Sequence, residues 1–412
     1  MIKKYEKYKN SGVEWIDEIP ADWTVSQYKF AAFVQNGFAF KSNLFDKNEG
    51  FPILRIRDIT NGKISTFYKG DYDEQYIVRK DDLLIGMDGD YNIRWWNNKE
   101  AILNQRCCRI IEKDGISKRF LYYILPFSLE IINDLTYYTT VKHLSSGDIY
   151  NAKLPFPTPK EQTKIAEYLD HQTGLIDKIL EKKRLLIEKL KEQRQAIINE
   201  AVTKGLNPNA PMKYSGVEWL GEIPEKWEIC KLKHIAELKS GNFISADNID
   251  PTGEFPVYGG NGLRGYTNSF THNGNYVLIG RQGAHCGNIK YAERKFWATE
   301  HAVVVTLKKD SDTFFIGELL RTMNLNQYNE SAAQPGLAVG KIMNLWIPKI
   351  PYQDQIEISD FIIREVGITS EVISKSENQI LKLEGYRKSL ISEVVTGKID
   401  VREWQVKVKE TA

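Results

Sequence analysis

The stretch GNGLRG at residues 260–265 formally satisfies the G-x-G-x-x-G pattern of a dinucleotide-binding loop. That chemistry needs a strand before the glycines and a helix after them, so that the pyrophosphate meets the helix N-terminus. Here YTNSFTHNGN follows, a turn-rich run that does not start a helix, so the stretch reads as a Gly-rich recognition loop or tight turn. GLAVGK at residues 336–341 falls one residue short of a phosphate loop and lacks its Ser or Thr. Neither HExxH nor GxSxG occurs, and there is no adenine-methyltransferase signature of the N/D-P-P-Y type. The six histidines are scattered; His285 beside Cys286 has no second pair at metal-ligand spacing. Nucleophile, base and oxyanion donor never assemble into one set, so the chain is expected to be non-catalytic and to hold no metal or cofactor.

The elements that position these residues follow from length and repetition. At 412 residues the chain is long enough for two to three domains. The formal net charge of +2 announces neither a polyanion partner nor a membrane, although binding faces are local. The start, MIKKYEKYKN, has no apolar signal-peptide core, and eighteen apolar residues never run together. Cys107, Cys108, Cys230 and Cys286 form no CxxC pair, so a cytoplasmic protein with reduced thiols is expected.

SGVEWIDEIP at residues 11–20 returns as SGVEWLGEIP at residues 215–224, with eight of ten letters identical. The offset of 204 persists from Trp23 to Trp227, Gly37 to Gly241 and Phe51 to Phe255. LLIGMDG (83–89) then lies against VLIGRQG (277–283) at an offset of 194. From His143 onward the offset is 193, pairing Leu144 with Leu337, Pro155 with Pro348 and Gln162 with Gln355. The matches stay colinear, so the chain is a tandem duplication whose second copy lost about ten residues between positions 52 and 83.

Each copy divides again. Residues 22–153 and 226–346 mix short β-rich runs with Gly, Asn and Asp turns, which predicts compact α+β domains. Pro-rich junctions, LPFPTPKEQ and IPKIPYQDQ, should be extended and end just before helices. Helical patterns follow over 160–204 and 353–397; each run of about 44 residues would reach some 66 Å at 1.5 Å per residue. Alternating steps of four and three give a mostly apolar seam through Ile165, Leu169, Ile176, Ile179, Leu186, Leu190 and Ile197, interrupted by Gln172, Lys183 and Gln193. The matching seam passes Ile358, Ile362, Val372, Leu383, Tyr386 and Leu390. A second stripe, Leu175, Ile187 and Ile198 with Ile368, Ile380 and Ile391, widens both apolar faces, as suits helices that pair and pack against something more. The helices read as a spacer.

In combination these motifs resemble the specificity (S) subunit of type I restriction–modification enzymes. YKNSGVEWIDEIPADW and KYSGVEWLGEIPEKW open the copies, LPFPTPKEQTKIAEYLD and IPYQDQIEISDFI open the helices, and EAVTKGL and EVVTGKI close them. Asp17 departs from the second copy, which has Gly221, and Thr158 interrupts the first Pro-rich junction. The resemblance implies an α+β fold: a β-rich target-recognition domain followed by a long helix, duplicated, with the helices pairing as an antiparallel coiled coil. The implied division is a docking segment at 1–21, recognition domain 22–153, helical region 154–205, linker and docking segment 206–225, recognition domain 226–346, helical region 347–398 and tail 399–412. Each recognition domain would read one half of a bipartite site on double-stranded DNA. The helices would space the domains and dock two methyltransferase (M) subunits, which methylate adenine with S-adenosylmethionine. Motor-nuclease (R) subunits with ATP and Mg would join for cleavage.

On that expectation the repeated decapeptide seats each domain on the helices, with Trp15, Ile19 and Trp23, or Trp219, Ile223 and Trp227, packing rather than touching bases. Base-reading residues should lie where matching loops diverge: Asn92 and Arg94 in one copy, Arg281, Gln282 and His285 in the other. Arg55, Arg57 and Lys63, with Arg264 and Lys290 opposite, are candidates for phosphate contacts. Two rival readings are a two-module scaffold or adaptor that binds proteins instead of DNA, and a self-sufficient methyltransferase, against which the missing motifs speak.

Overall fold

The computed structural model describes residues 3–13, 16–135, 143–283, 286–329 and 336–406, with 131–135 as backbone only. Two compact units emerge, Met1–Lys182 with Gln379–Ala412 and Lys183–Asn378, so that each takes part of both long helices.

In the first unit the central sheet is antiparallel throughout, in the order Ile93–Trp95, Leu83–Gly86, Cys107–Glu112, Ala32–Asn36. Leu83 and Ile85 enter the main core, while Leu84 faces a smaller core with Leu54, Ile59 and Trp96. This alternation is what a strand buried on both faces requires. A second sheet runs Phe45–Asp46, Phe67–Tyr68, Phe51–Leu54, Ala101–Leu103, Ile77–Val78, with Phe51–Leu54 parallel to Ala101–Leu103. The strand that enters the domain, Thr24–Gln27, pairs antiparallel with the strand that leaves it, Lys153–Phe156. The Pro-rich junction is therefore extended, and Pro155 sits in a two-stranded ladder where its missing N–H is tolerated.

The second unit repeats the plan. Its central order is Ala236–Ser240, Ala302–Leu307, Tyr276–Gly280, Ile289–Ala292, and Glu228–Lys231 pairs with Trp346–Lys349. The ten-residue difference has a structural cause. After Phe51–Leu54 the first unit forms a helix, Ile56–Asn61; after Phe255–Gly259 the second turns back at once into Gly262–Thr267. GNGLRG is thus a hairpin.

The long helices run Pro159–Lys204 and Tyr352–Val395. Pro159 opens the first, where its missing N–H costs nothing. A buried glutamine clips each helix start in the same way. Gln162 donates to the Pro157 carbonyl at 3.0 Å and accepts from Ser117 N–H at 2.9 Å. Gln355 donates to the Ile350 carbonyl at 2.8 Å and accepts from Asp312 N–H at 2.9 Å.

The helix seams need a correction. Ile165, Leu169, Ile176, Ile358, Ile362 and Leu390 are buried as expected, and Leu190, Ile197 and Leu383 are half-buried. Ile179, Leu186, Val372 and Tyr386 are exposed, whereas Leu180, Ile187 and Ile373, one position later, are buried. A strict 3.5-residue count drifts about 20° per heptad on a helix of 3.6 residues per turn. The buried isoleucines 165, 176, 187 and 198 instead recur every eleven residues, which is three turns. Within the first unit, Ile176 and Leu180 share a core with Leu390 and Val394, and Arg387 pairs with Asp177 at 2.9 Å. Within the second, Ile198 and Val202 share a core with Ile358 and Ile362. Such sharing is consistent with paired helices.

The repeated decapeptide seats on helix ends. Ile19 and Trp23 are buried against the core holding Val394 and Val395, and Ile223 and Trp227 against that holding Ala201 and Val202. Trp219 is half-buried and its indole N–H donates to the Trp346 carbonyl at 3.1 Å. Trp15 lies outside the described residues.

Candidate nucleic-acid interface

In the first unit the candidate cations gather around the helix Ile56–Asn61. Its first turn is closed by Asp58, whose carboxylate accepts from Arg55 N–H at 2.9 Å. Asp58 is fully buried, and burial raises its pKa against the lowering pull of the Arg55 N–H and the Arg57 guanidinium. Arg57 donates to Thr66 Oγ1 at 2.6 Å. The Arg55 guanidinium lies 5.9 Å from the centre of the Phe45 ring. Both arginines, with Phe40, Asn104, Gln105 and Arg106, line a hollow of about 330 Å³.

The other end of that helix holds the remaining candidates. Gly62 ends it in the left-handed conformation, φ 72°, and Lys63 is exposed just beyond. Arg94 is committed to this end: it donates to the Thr60 carbonyl at 2.6 Å and also to the Ile59 carbonyl. A cation there satisfies orphan carbonyls and the negative end of the helix dipole. Reading a base would require Arg94 to give up that cap. The Asn92 carbonyl accepts from Gly86 N–H at 2.9 Å, and its half-buried side chain opens on a separate hollow lined by Tyr91 and Tyr122.

In the second unit the hairpin does the gathering. A Cβ on Gly259 would lie 2.6 Å from Arg264 Cδ, and one on Gly262 would lie 3.4 Å from Lys290 Cε. The same turn approaches the backbone of Gln282 and His301, so the hairpin sets Arg264 and Lys290 beside the segments that carry them. Arg281 is anchored: its guanidinium donates to Ser240 Oγ at 3.1 Å, and its N–H to the His301 carbonyl at 2.9 Å. Cys286 donates to the Arg281 carbonyl at 3.3 Å, and burial pushes its thiol pKa up. His285 lies outside the described residues.

Sequence reasoning passed over two turns that the fold sets beside these clusters, residues 104–106 and 299–301. NQR and TEH share no letter, so only the flanking strand pattern could have brought them into register. Among the described residues no group of His, Cys, Asp or Glu could hold a metal ion, and no helix is long and apolar enough to cross a membrane.

Comparison with known proteins fits this geometry. A family model described as "Type I restriction modification DNA specificity domain" matches twice, at residues 20–189 and 224–382. The chain is 42% identical over 183 residues to the type I restriction enzyme EcoBI specificity subunit of Escherichia coli, covering 44% of this chain and 39% of that one. It is 24% identical over 415 residues to the MjaVIII specificity subunit of Methanocaldococcus jannaschii, covering 93% and 94%. The match to EcoBI and that to the E. coli EcoprrI subunit each span about two fifths of the relative's length. A solved chain from work on complex assembly and conformational transition of the type I R-M system superposes with a TM-score of 0.71 at 14% identity, covering 92% of this chain and 99% of that one.

Proposed function

We propose a function from the premise that this chain belongs to the type I restriction–modification DNA specificity family. It is the sequence-specific DNA-recognition subunit of such a complex, and each of its two recognition domains reads one half of a bipartite target on double-stranded DNA. The observation that carries this reading is the repetition itself: two units with one architecture, each presenting a different set of polar and basic side chains around matching loops. A protein that reads two unlike half-sites needs that combination. The chain supplies recognition and no catalysis. Two M subunits bring S-adenosylmethionine and methylate adenine, and R subunits bring ATP and Mg for cleavage, in the cytoplasm.

The helical regions 154–205 and 347–398 serve as spacer and as docking surface. Ile179, Leu186, Val372 and Tyr386, which the packed seam leaves outside, are the apolar positions suited to M-subunit contact. Arg55, Arg57, Lys63, Arg264 and Lys290 supply phosphate contacts.

Co-expression with a partner M subunit, followed by mapping of methylated adenines, tests this. The expected result is one bipartite motif; exchange of residues 22–153 for a relative's domain changes one half of it only. Gel shifts with M subunit present should weaken steeply with salt, because phosphate contacts release counterions. Salt-insensitive binding, or no DNA binding at all, would favour the two-module adaptor.

A further inference from the structure

Residues 104–106 and 299–301 occupy one backbone position in two different chemical versions. Four matched hydrogen bonds fix the equivalence. Phe38 N–H donates to the Leu103 carbonyl and Asn242 N–H to the Ala298 carbonyl, both at 2.9 Å. Gly37 N–H reaches the Cys107 carbonyl at 2.9 Å, and Gly241 N–H the Ala302 carbonyl at 3.0 Å. Each turn is closed across itself, by Cys107 N–H to Asn104 and by Ala302 N–H to Thr299, both at 2.9 Å. Each is tied to the Gly-containing loop beside it, by Met87 N–H to Arg106 and by Arg281 N–H to His301, again both at 2.9 Å. A Cβ on Gly37 or Gly241 would stand 2.2 Å from a carbonyl oxygen of the facing segment, so only glycine permits this approach.

On these matched backbones no side chain is the same. The first turn carries Asn104, Gln105 and Arg106, with Gln105 and Arg106 exposed. The second carries Thr299, Glu300 and His301. Glu300 Oε2 is buried without a hydrogen-bond partner among the described residues, while Oε1 lies 3.2 Å from His301 Nε2. A carboxylate only accepts, and the side chains of Glu300 and His301 keep 34% and 42% of their surface open. Positive side chains flank both turns, Arg55 and Arg57 at one and Arg264 and Lys290 at the other.

Resting on the function proposed above, we infer that these two turns are the base-reading elements of the two domains. Gln105 and Arg106 offer the donor-rich groups that match adenine and guanine edges in the major groove. Glu300 offers the acceptor that matches the amino group of cytosine. A rigid backbone positions such groups better than a mobile loop does. The flanking cations hold phosphates and set the register.

The test uses the full chain with its M partner and reads the methylated motif. Gln105→Ala removes an exposed side chain, and Glu300→Gln is isosteric, so both variants should fold. Gln105→Ala should relax one or two positions in one half-site, and Glu300→Gln should relax a cytosine position in the other. Discrimination at the affected position should fall about tenfold or more. An unchanged motif in both variants overturns the inference. So does a loss of methylation spread evenly over all sites, which marks a phosphate contact. If the unaltered chain with its partner yields no bipartite motif, it is the proposed function that fails.

Discussion

The two seats on the helix ends are built from the same letters and closed in different ways. In the second unit the chain leaves the first helix at Gly205 and reaches Trp227 through a continuous linker. A hollow of about 560 Å³ remains there beside Pro224, Asp354 and Ile358. In the first unit two separate segments meet. Asp400 N–H donates to the Lys3 carbonyl at 2.8 Å, Tyr5 OH donates to Glu161 at 2.5 Å, and Arg402 stacks on the Tyr5 ring at 4.8 Å. Trp404 packs edge-on to Tyr168. The tryptophan anchor is common to both seats, and the material around it is free to vary.

If the anchors are equivalent, Trp23→Ala and Trp227→Ala should each cost about 3–5 kcal/mol. Both indoles are almost wholly buried. Denaturant unfolding checks this; a neutral variant in either copy would break the equivalence.

The helix-ending glycines should separate the seats. Gly205 and Gly397 both have left-handed φ, 76° and 75°. A Cβ on Gly205 meets Trp227 at 3.2 Å, but one on Gly397 would lie 2.3 Å from Pro20 Cδ. Left-handed strain of about 1–2 kcal/mol applies to both. Gly397→Ala should therefore destabilise clearly more than Gly205→Ala in paired thermal melts.

Asp17 and Gly221 share one left-handed position, φ 60° and 63°. Each carbonyl accepts the N–H of its serine, Ser11 at 2.8 Å or Ser215 at 2.9 Å. Asp17→Gly should raise stability by up to about 1 kcal/mol by relieving Cβ strain, measured as a shift in denaturant midpoint. The smallest effect belongs to the half-exposed Arg387–Asp177 pair, where Arg387→Ala should cost about 0.2–1 kcal/mol and less at high salt.

These contrasts mark what the letters carried. The duplication, the helix limits and the seated tryptophans were legible because burial and periodicity act on many residues at once. The exposure of Ile179, Leu186, Val372 and Tyr386 was not, because a small phase error per turn accumulates along a long helix. Arg94 looked like a reader because it is basic and lies in a divergent loop; only the fold places it under the helix Ile56–Asn61. The turns at 104–106 and 299–301 escaped for the opposite reason. Their identity lies in backbone hydrogen bonds, and side chains of which none is the same leave no common letters to align.

The meeting of the two terminal segments has a topological consequence. Lys3 pairs with Glu403 at 2.7 Å, Lys398 reaches the Glu18 carbonyl at 3.0 Å, and Tyr8 OH reaches the Gly397 carbonyl at 3.2 Å. The first seat is thus the second seat with its peptide connection opened. A short peptide bridge between residues 404 and 3, together with a cut in the exposed stretch 206–209, would move the opening from one seat to the other. The permuted polypeptide would begin with the other domain and keep the same contacts.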